Sequence, residues 1–172
     1  MDQDKRLHRK IPLAMRLSMQ SNCPYIKGQT EQRIAVDITS DPKCHDELAA
    51  AGFRRVENWV YRPACPKCNA CLPWRVDVAN FYPSRNMSRI IKKNKDLTRH
   101  ITSPTPSDDH YRLFKTYVTS RHDDGQMAKM GESDFTSMIR NSPIETVLVN
   151  YNDAKNNLVG AILCDLQSDG LS

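Results

Sequence analysis

Three cysteines at two consecutive three-residue steps, Cys65, Cys68 and Cys71 in the run YRPACPKCNACL, constrain this chain more than any other feature. Thiolates are soft anionic donors that suit Zn²⁺ or an iron-sulfur cluster, and ligands two residues apart on a tight turn share one centre without backbone strain. A structural zinc takes a fourth ligand, and Cys23 in SNCPYIKG is the candidate, because Pro24 and Gly28 make a second tight turn there. Cys44 falls in an expected helix beside His45 and stays an outside possibility. Cys164 lies in an apolar run, where a small buried residue is the plainer reading. Free thiols without any metal are the alternative for the trio.

Six cysteines in 172 residues, three of them within seven positions, do not resemble a disulfide scaffold, which spreads its cysteines through a shorter secreted chain. The N-terminus carries no apolar core of a signal peptide, and no later run reaches transmembrane length. The chain therefore reads as a cytoplasmic protein without a membrane partner. Charge is unevenly divided. Residues 1–100 carry 19 lysines and arginines against 10 acids, and residues 101–172 carry 6 against 10. A basic first part suits contact with a polyanion through counterion release, and ordinary solvated surface is the competing explanation.

Along the chain, residues 1–22 form a basic arm or short strand with weak apolar patterning at Ile11, Leu13, Met15 and Leu17. Arg33–Ile38 alternates with the period of a half-buried strand. Asp41, Pro42 and Gly52 bracket a short helix over Lys43–Ala51. Phe53–Val56 and Trp59–Arg62 read as two strands around Glu57-Asn58. LPWRVDVANF alternates again and predicts another strand. Ser84 caps a helix to about Lys95, with Met87, Ile90 and Ile91 inward and Arg85, Arg89, Lys92, Lys93 and Lys95 around the rest. Those five cations meet no acid before Asp96 and fit a nucleic-acid backbone in number and placement. TSPTPSDDH is a linker. Ser107 and Ser133 cap two further helices, and ETVLVNY and LVGAILCDLQ pair as a hairpin around NDAKNN. The expected class is α+β, with a basic cysteine-containing domain over 1–100 and a second, incomplete one over 101–172. The final apolar strand needs further strands or a covering layer, so the chain is expected to stop inside a domain.

The ordered blocks CPYIKGQTEQRIAVDI, GFRR, NWVYRPACPKCNACLPWRVDVANFYPSRNMSRIIKKNKDL and YVTSRHDDGQM resemble the bacterial leucyl-tRNA-protein transferases that act on N-terminal aspartate or glutamate, relatives of the arginyl-tRNA-protein transferases. The resemblance implies an N-terminal metal-binding cysteine region followed by a half similar to the GCN5-related acetyltransferases, here lacking its last strands. It implies an enzyme whose partners are leucyl-tRNA and proteins that begin with Asp or Glu, which the added leucine marks for degradation. An aminoacyl ester is already activated, so alignment, a neutral amine and oxyanion stabilisation suffice, with no covalent nucleophile. Arg62 and Arg75, flanking the cysteine turn, are candidates to grip the acidic side chain, because a guanidinium binds a carboxylate bidentately. His122, whose reference pKa lies near neutrality, is the candidate proton acceptor, and a helix C-terminal cap is its competing role. Arginyl transfer, or a non-catalytic zinc-stabilised RNA-binding module, are the alternative functions.

Overall fold

The computed structural model describes residues 13–172, so the beginning of the expected basic arm lies outside the described residues. Strands β1 (Met15–Leu17), β4 (Arg33–Asp37), β5 (Arg54–Val56) and β6 (Trp59–Pro63) form an antiparallel sheet in the order β1-β4-β6-β5. The alternation of Arg33–Ile38 sends Val36 and Ile38 fully inward, where they meet Val60 of β6. The short helix before β5 is a single 3₁₀ turn (Pro42–Cys44) running into α1 (His45–Ala50), and its Cys44 and Leu48 complete that core. Gly52 ends the helix at φ +85°, the left-handed conformation that a glycine adopts without a Cβ clash. Between β1 and β4, β2 (Ser21–Asn22) and β3 (Thr30–Glu31) pair as a separate small hairpin whose turn carries Cys23 and Gly28, the latter at φ +78°.

The second sheet has the order β10-β9-β8-β7, also antiparallel, from β7 (Thr98–Thr102), β8 (Thr146–Asn152), β9 (Leu158–Gln167) and β10 (Gly170–Leu171). Helices α3 (Asp108–Arg121) and α4 (Glu132–Arg140) supply Tyr111, Phe114, Phe135, Met138 and Ile139, which pack with Leu148 and Leu163 as a second core. The molecule is thus a mixed α/β protein with two cores. The two are joined: Ile144, just before β8, packs against the first core.

Several expectations are corrected. LPWRVDVANF is not a strand. Trp74, Val76 and Val78 are exposed, Pro73 has no N–H to give a ladder, and the Asp77 carboxylate accepts the Ala79 N–H and turns the chain into a 3₁₀ turn at Val78–Asn80. Ser84 does cap α2 (Arg85–Lys93) by accepting the Met87 N–H at 3.3 Å. Met87, Ile90 and Ile91, however, all face solvent, because no described element covers that side of the helix. α4 begins after Gly131, not at Ser133, with the Asp134 carboxylate accepting the Gly131 N–H. β7 was not expected at all: Thr-Arg-His-Ile-Thr has no apolar alternation, and all five residues are exposed on the edge of the sheet.

Candidate functional site

The two turns that carry the cysteines hang from one short segment. The Cys23 N–H donates to the Gln29 carbonyl across the β2–β3 hairpin, while the Ala64 N–H and the Cys65 thiol both donate to the Gln32 carbonyl. This follows from the sheet: β4 and β6 end together at Arg33↔Pro63, so the residues just beyond that pair, Gln32 and Ala64, are delivered side by side. None of the six cysteines is in a disulfide. Among the described residues no three His, Cys, Asp or Glu side chains are gathered closely enough to hold one ion. As placed, Cys23, Cys65, Cys68 and Cys71 do not form a ligand sphere among the described residues. Cys44 is buried in the first core, away from any ligand role, and burial, helped by Asp165, pushes the thiol pKa of half-buried Cys164 up.

Of the two arginines flanking the cysteines, Arg62 packs on the corner after α1. Arg62 donates to the Ala51 carbonyl at 3.1 Å, and its guanidinium lies over the Phe53 ring, 5.3 Å from the centroid. Gly52 lies between those two residues, and a Cβ built on it would sit 2.7 Å from Cγ of Pro73. The cysteine-bearing loop is therefore pressed against the corner two residues before Arg75. From there Arg75 reaches the β9–β10 turn, where one nitrogen, Nη2, donates to both oxygens of Asp169 at 3.0 and 3.2 Å. Both partners are more than half exposed.

A second arginine-aspartate pair lies four residues earlier on β9, and it escaped the sequence reading. Arg55 of β5 grips Asp165 with Nε at 2.7 Å and Nη2 at 2.5 Å, one nitrogen to each oxygen. The Arg55 side chain is 3% exposed and that of Asp165 10%. Thr146 donates to the same carboxylate at 3.1 Å, and Arg55 Nη1 satisfies the Glu57 carbonyl. His45 is buried alongside, with Nε2 4.0 Å from Asp165, and its Nδ1 has no hydrogen-bond partner among the described residues. Burial holds the His45 pKa below the ordinary histidine value; Asp165 and Asp46 pull it up and Arg55 pushes it further down. The available signal was an acid inside the apolar run AILCDL, since a carboxylate is almost never buried without a partner. Asp46 adds a further tie by accepting the Ser168 N–H at 3.1 Å, a bond that lowers its own pKa.

Of the five basic residues assigned to α2 and its end, Arg85, Arg89 and Lys92 line a single hollow together with Asn86 and Ser88, while Lys93 and Lys95 lie at and beyond the last turn. The helix is cationic on its exposed surface, and its first turn holds no acid. His122 caps α3: its N–H donates to the Val118 carbonyl at 2.8 Å, its carbonyl accepts the Gly125 N–H, and its ring meets Tyr117 edge-on at 5.8 Å. It is exposed and stands in the helix-capping position.

Residues 21–89 match the family model described as arginine-tRNA-protein transferase, N terminus, and residues 109–172 match the model for the C terminus of the same family. The chain is 43% identical over 152 residues to the aspartate/glutamate leucyltransferase of Paramagnetospirillum magneticum, covering 87% of this chain and 62% of that protein. It is 40% identical over 158 residues to the protein of that name in Cereibacter sphaeroides, covering 88% and 56%. For the one in Sphingopyxis alaskensis the identity is 36% over 157 residues, covering 87% and 61%. The chain spans about three-fifths of the length of these curated relatives.

Proposed function

Because the chain belongs to the arginine-tRNA-protein transferase family, matched in order by its N-terminal and C-terminal models, we propose that the whole protein is an aminoacyltransferase that moves leucine from leucyl-tRNA to proteins beginning with Asp or Glu. The observation that carries this reading is the run of relatives at 36–43% identity that share the name aspartate/glutamate leucyltransferase. In this reaction the free α-amine attacks the ester carbon of the charged tRNA, a peptide bond forms, and the 3′ hydroxyl leaves with the proton. The second sheet with α3 and α4 is the opening of a GCN5-related acetyltransferase-like half that aligns the two reactants. The extended protein is then marked for degradation, in a reducing cytoplasm that suits six cysteines without a disulfide.

Each group has a part that its placement allows. Arg75 holds the acidic side chain, and Arg62 fixes the corner on which the Arg75 loop rests. Arg85, Arg89 and Lys92 seat phosphates of the tRNA, with Lys93 and Lys95 extending the track. His122, exposed at the end of α3, takes the proton of the incoming amine. The trio Cys65, Cys68 and Cys71, with Cys23, takes zinc or an iron-sulfur cluster as a structural clasp; spacing and the shared Gln29–Gln32 tether support this, and no step of the transfer runs through it. A transfer assay with the full-length protein, leucyl-tRNA or arginyl-tRNA, and peptides starting in Asp or Glu tests the function. Leucine incorporation is expected, arginine incorporation alone would move the assignment to arginyl transfer, and no transfer leaves the RNA-binding module. Elemental analysis and visible absorption of anaerobically purified protein separate zinc, cluster and plain thiols.

A further inference from the structure

The Arg75–Asp169 contact puts a carboxylate on the very side chain proposed to hold the carboxylate of the substrate. We infer that Asp169 is a built-in competitor, seated on Arg75 in the place that the acidic side chain of the substrate takes, and that it sets how tightly an N-terminal Asp or Glu is held. The inference rests on Arg75 being the carboxylate grip of the proposed function.

Three observations make the seat exchangeable. The first is its geometry. Asp169 engages a single nitrogen, Nη2, and the other donors of Arg75 have no partner among the described residues. An arriving carboxylate can take the parallel two-nitrogen arrangement that Asp169 leaves unused, which is the stronger one. The second is exposure: the side chains of Arg75 and Asp169 are 55% and 64% exposed, so parting them strands no buried charge. The third is that the displaced carboxylate stays nearby. Its turn is fixed by the Asp46–Ser168 bond and by the pairing of Gly170 with Gln167, neither of which involves the Asp169 side chain. Asp169 thus returns to Arg75 when product leaves.

An uncharged N-terminal side chain gains little from Arg75, so the competitor acts chiefly on acidic ligands. That differential separates a competitor from a structural brace, whose loss would disturb every peptide alike.

The test measures steady-state KM on the full-length protein with a peptide beginning in Asp, and the inhibition constant of the same peptide beginning in Asn. Wild type is compared with Asp169→Asn and Arg75→Ala, with thermal melting as a check on folding. Asp169→Asn is expected to lower KM for the Asp peptide about two- to fivefold, the range that an exposed ion pair spans. The Asn peptide should change by much less, and the gain should shrink as salt is raised. Arg75→Ala should raise KM for the Asp peptide alone. An unchanged or raised KM in Asp169→Asn, equal effects on both peptides, or a large loss of melting temperature would overturn the competitor while leaving the Arg75 grip intact. No KM effect in Arg75→Ala, with transfer still observed, would remove the grip and the competitor together without touching the transferase assignment.

Discussion

Arg55–Asp165 and Arg75–Asp169 join the same two parts of the molecule through acids four residues apart, yet they do different work. The first pair is buried, bidentate and surrounded by Thr146 and His45. The second is exposed and rests on a single nitrogen. Residue chemistry is identical, so the difference comes from the environment. Desolvated charges cannot part without leaving one of them uncompensated, whereas solvated charges exchange partners at little cost. The buried pair is architecture, and the exposed one is available for function.

The contrast is broken most directly at the buried pair. Arg55→Met should destabilise the protein by about 3–5 kcal/mol, because the Asp165 charge stays buried without its partner. Urea denaturation measures this, and the double variant Arg55→Met with Asp165→Leu should recover most of the loss, since removing both charges also removes the desolvation penalty. A double variant as unstable as the single one would mean that the surrounding network, not the pair, holds the seam.

Gly52→Ala reaches the exposed pair without touching either partner. The left-handed backbone costs an alanine about 1–2 kcal/mol, and the new Cβ must also displace Pro73. The melting temperature should fall by several degrees, and KM for acidic peptides should rise as the Arg75 loop shifts. Unchanged peptide kinetics would show that Arg75 is positioned by something other than this corner.

Acid should act on the buried pair through its neighbour. The folded pKa of His45 is depressed, so its contribution is fully present above the unfolded value of about 6.5. As pH falls below that value the unfolded chain takes up a proton that the native protein refuses. Stability then declines by up to about 1.4 kcal/mol per pH unit until native His45 also protonates. Comparing urea midpoints at pH 7 and pH 5 for wild type and His45→Gln isolates this slope from that of the carboxylates, and equal slopes would place His45 outside the linkage. The smallest effect belongs to the exposed pair itself. Asp169→Asn should change folding stability by less than about 1 kcal/mol, measurable by the same denaturation.

The parts legible in the sequence are those that local chemistry decides. The period of Arg33–Ile38, the Ser84 cap and the hairpin around NDAKNN each need only neighbouring residues, and each stands as read. What was missed depends on partners far along the chain. Alternation in LPWRVDVANF promised a strand, but a strand needs a ladder, and Pro73 and the Asp77 turn leave none. β7 is a strand only because β8 lies beside it. At the site, Arg62 and Arg75 were legible as candidates because they flank the cysteines. Asp169 and the Arg55–Asp165 pair were not, because 94 and 110 residues separate the partners and nothing local links them.

The shared tether of the two cysteine turns makes Cys65 a reporter on the first sheet. Its thiol meets Gln32 only while Arg33 stands opposite Pro63. A one-residue slip of β6 along β4 would carry Ala64 away by about 3.4 Å and turn successive side chains to opposite faces. Loosening of Val36 or Val60, deep in the core, will therefore register first at the rim, as faster alkylation of Cys65, before the sheet itself comes apart.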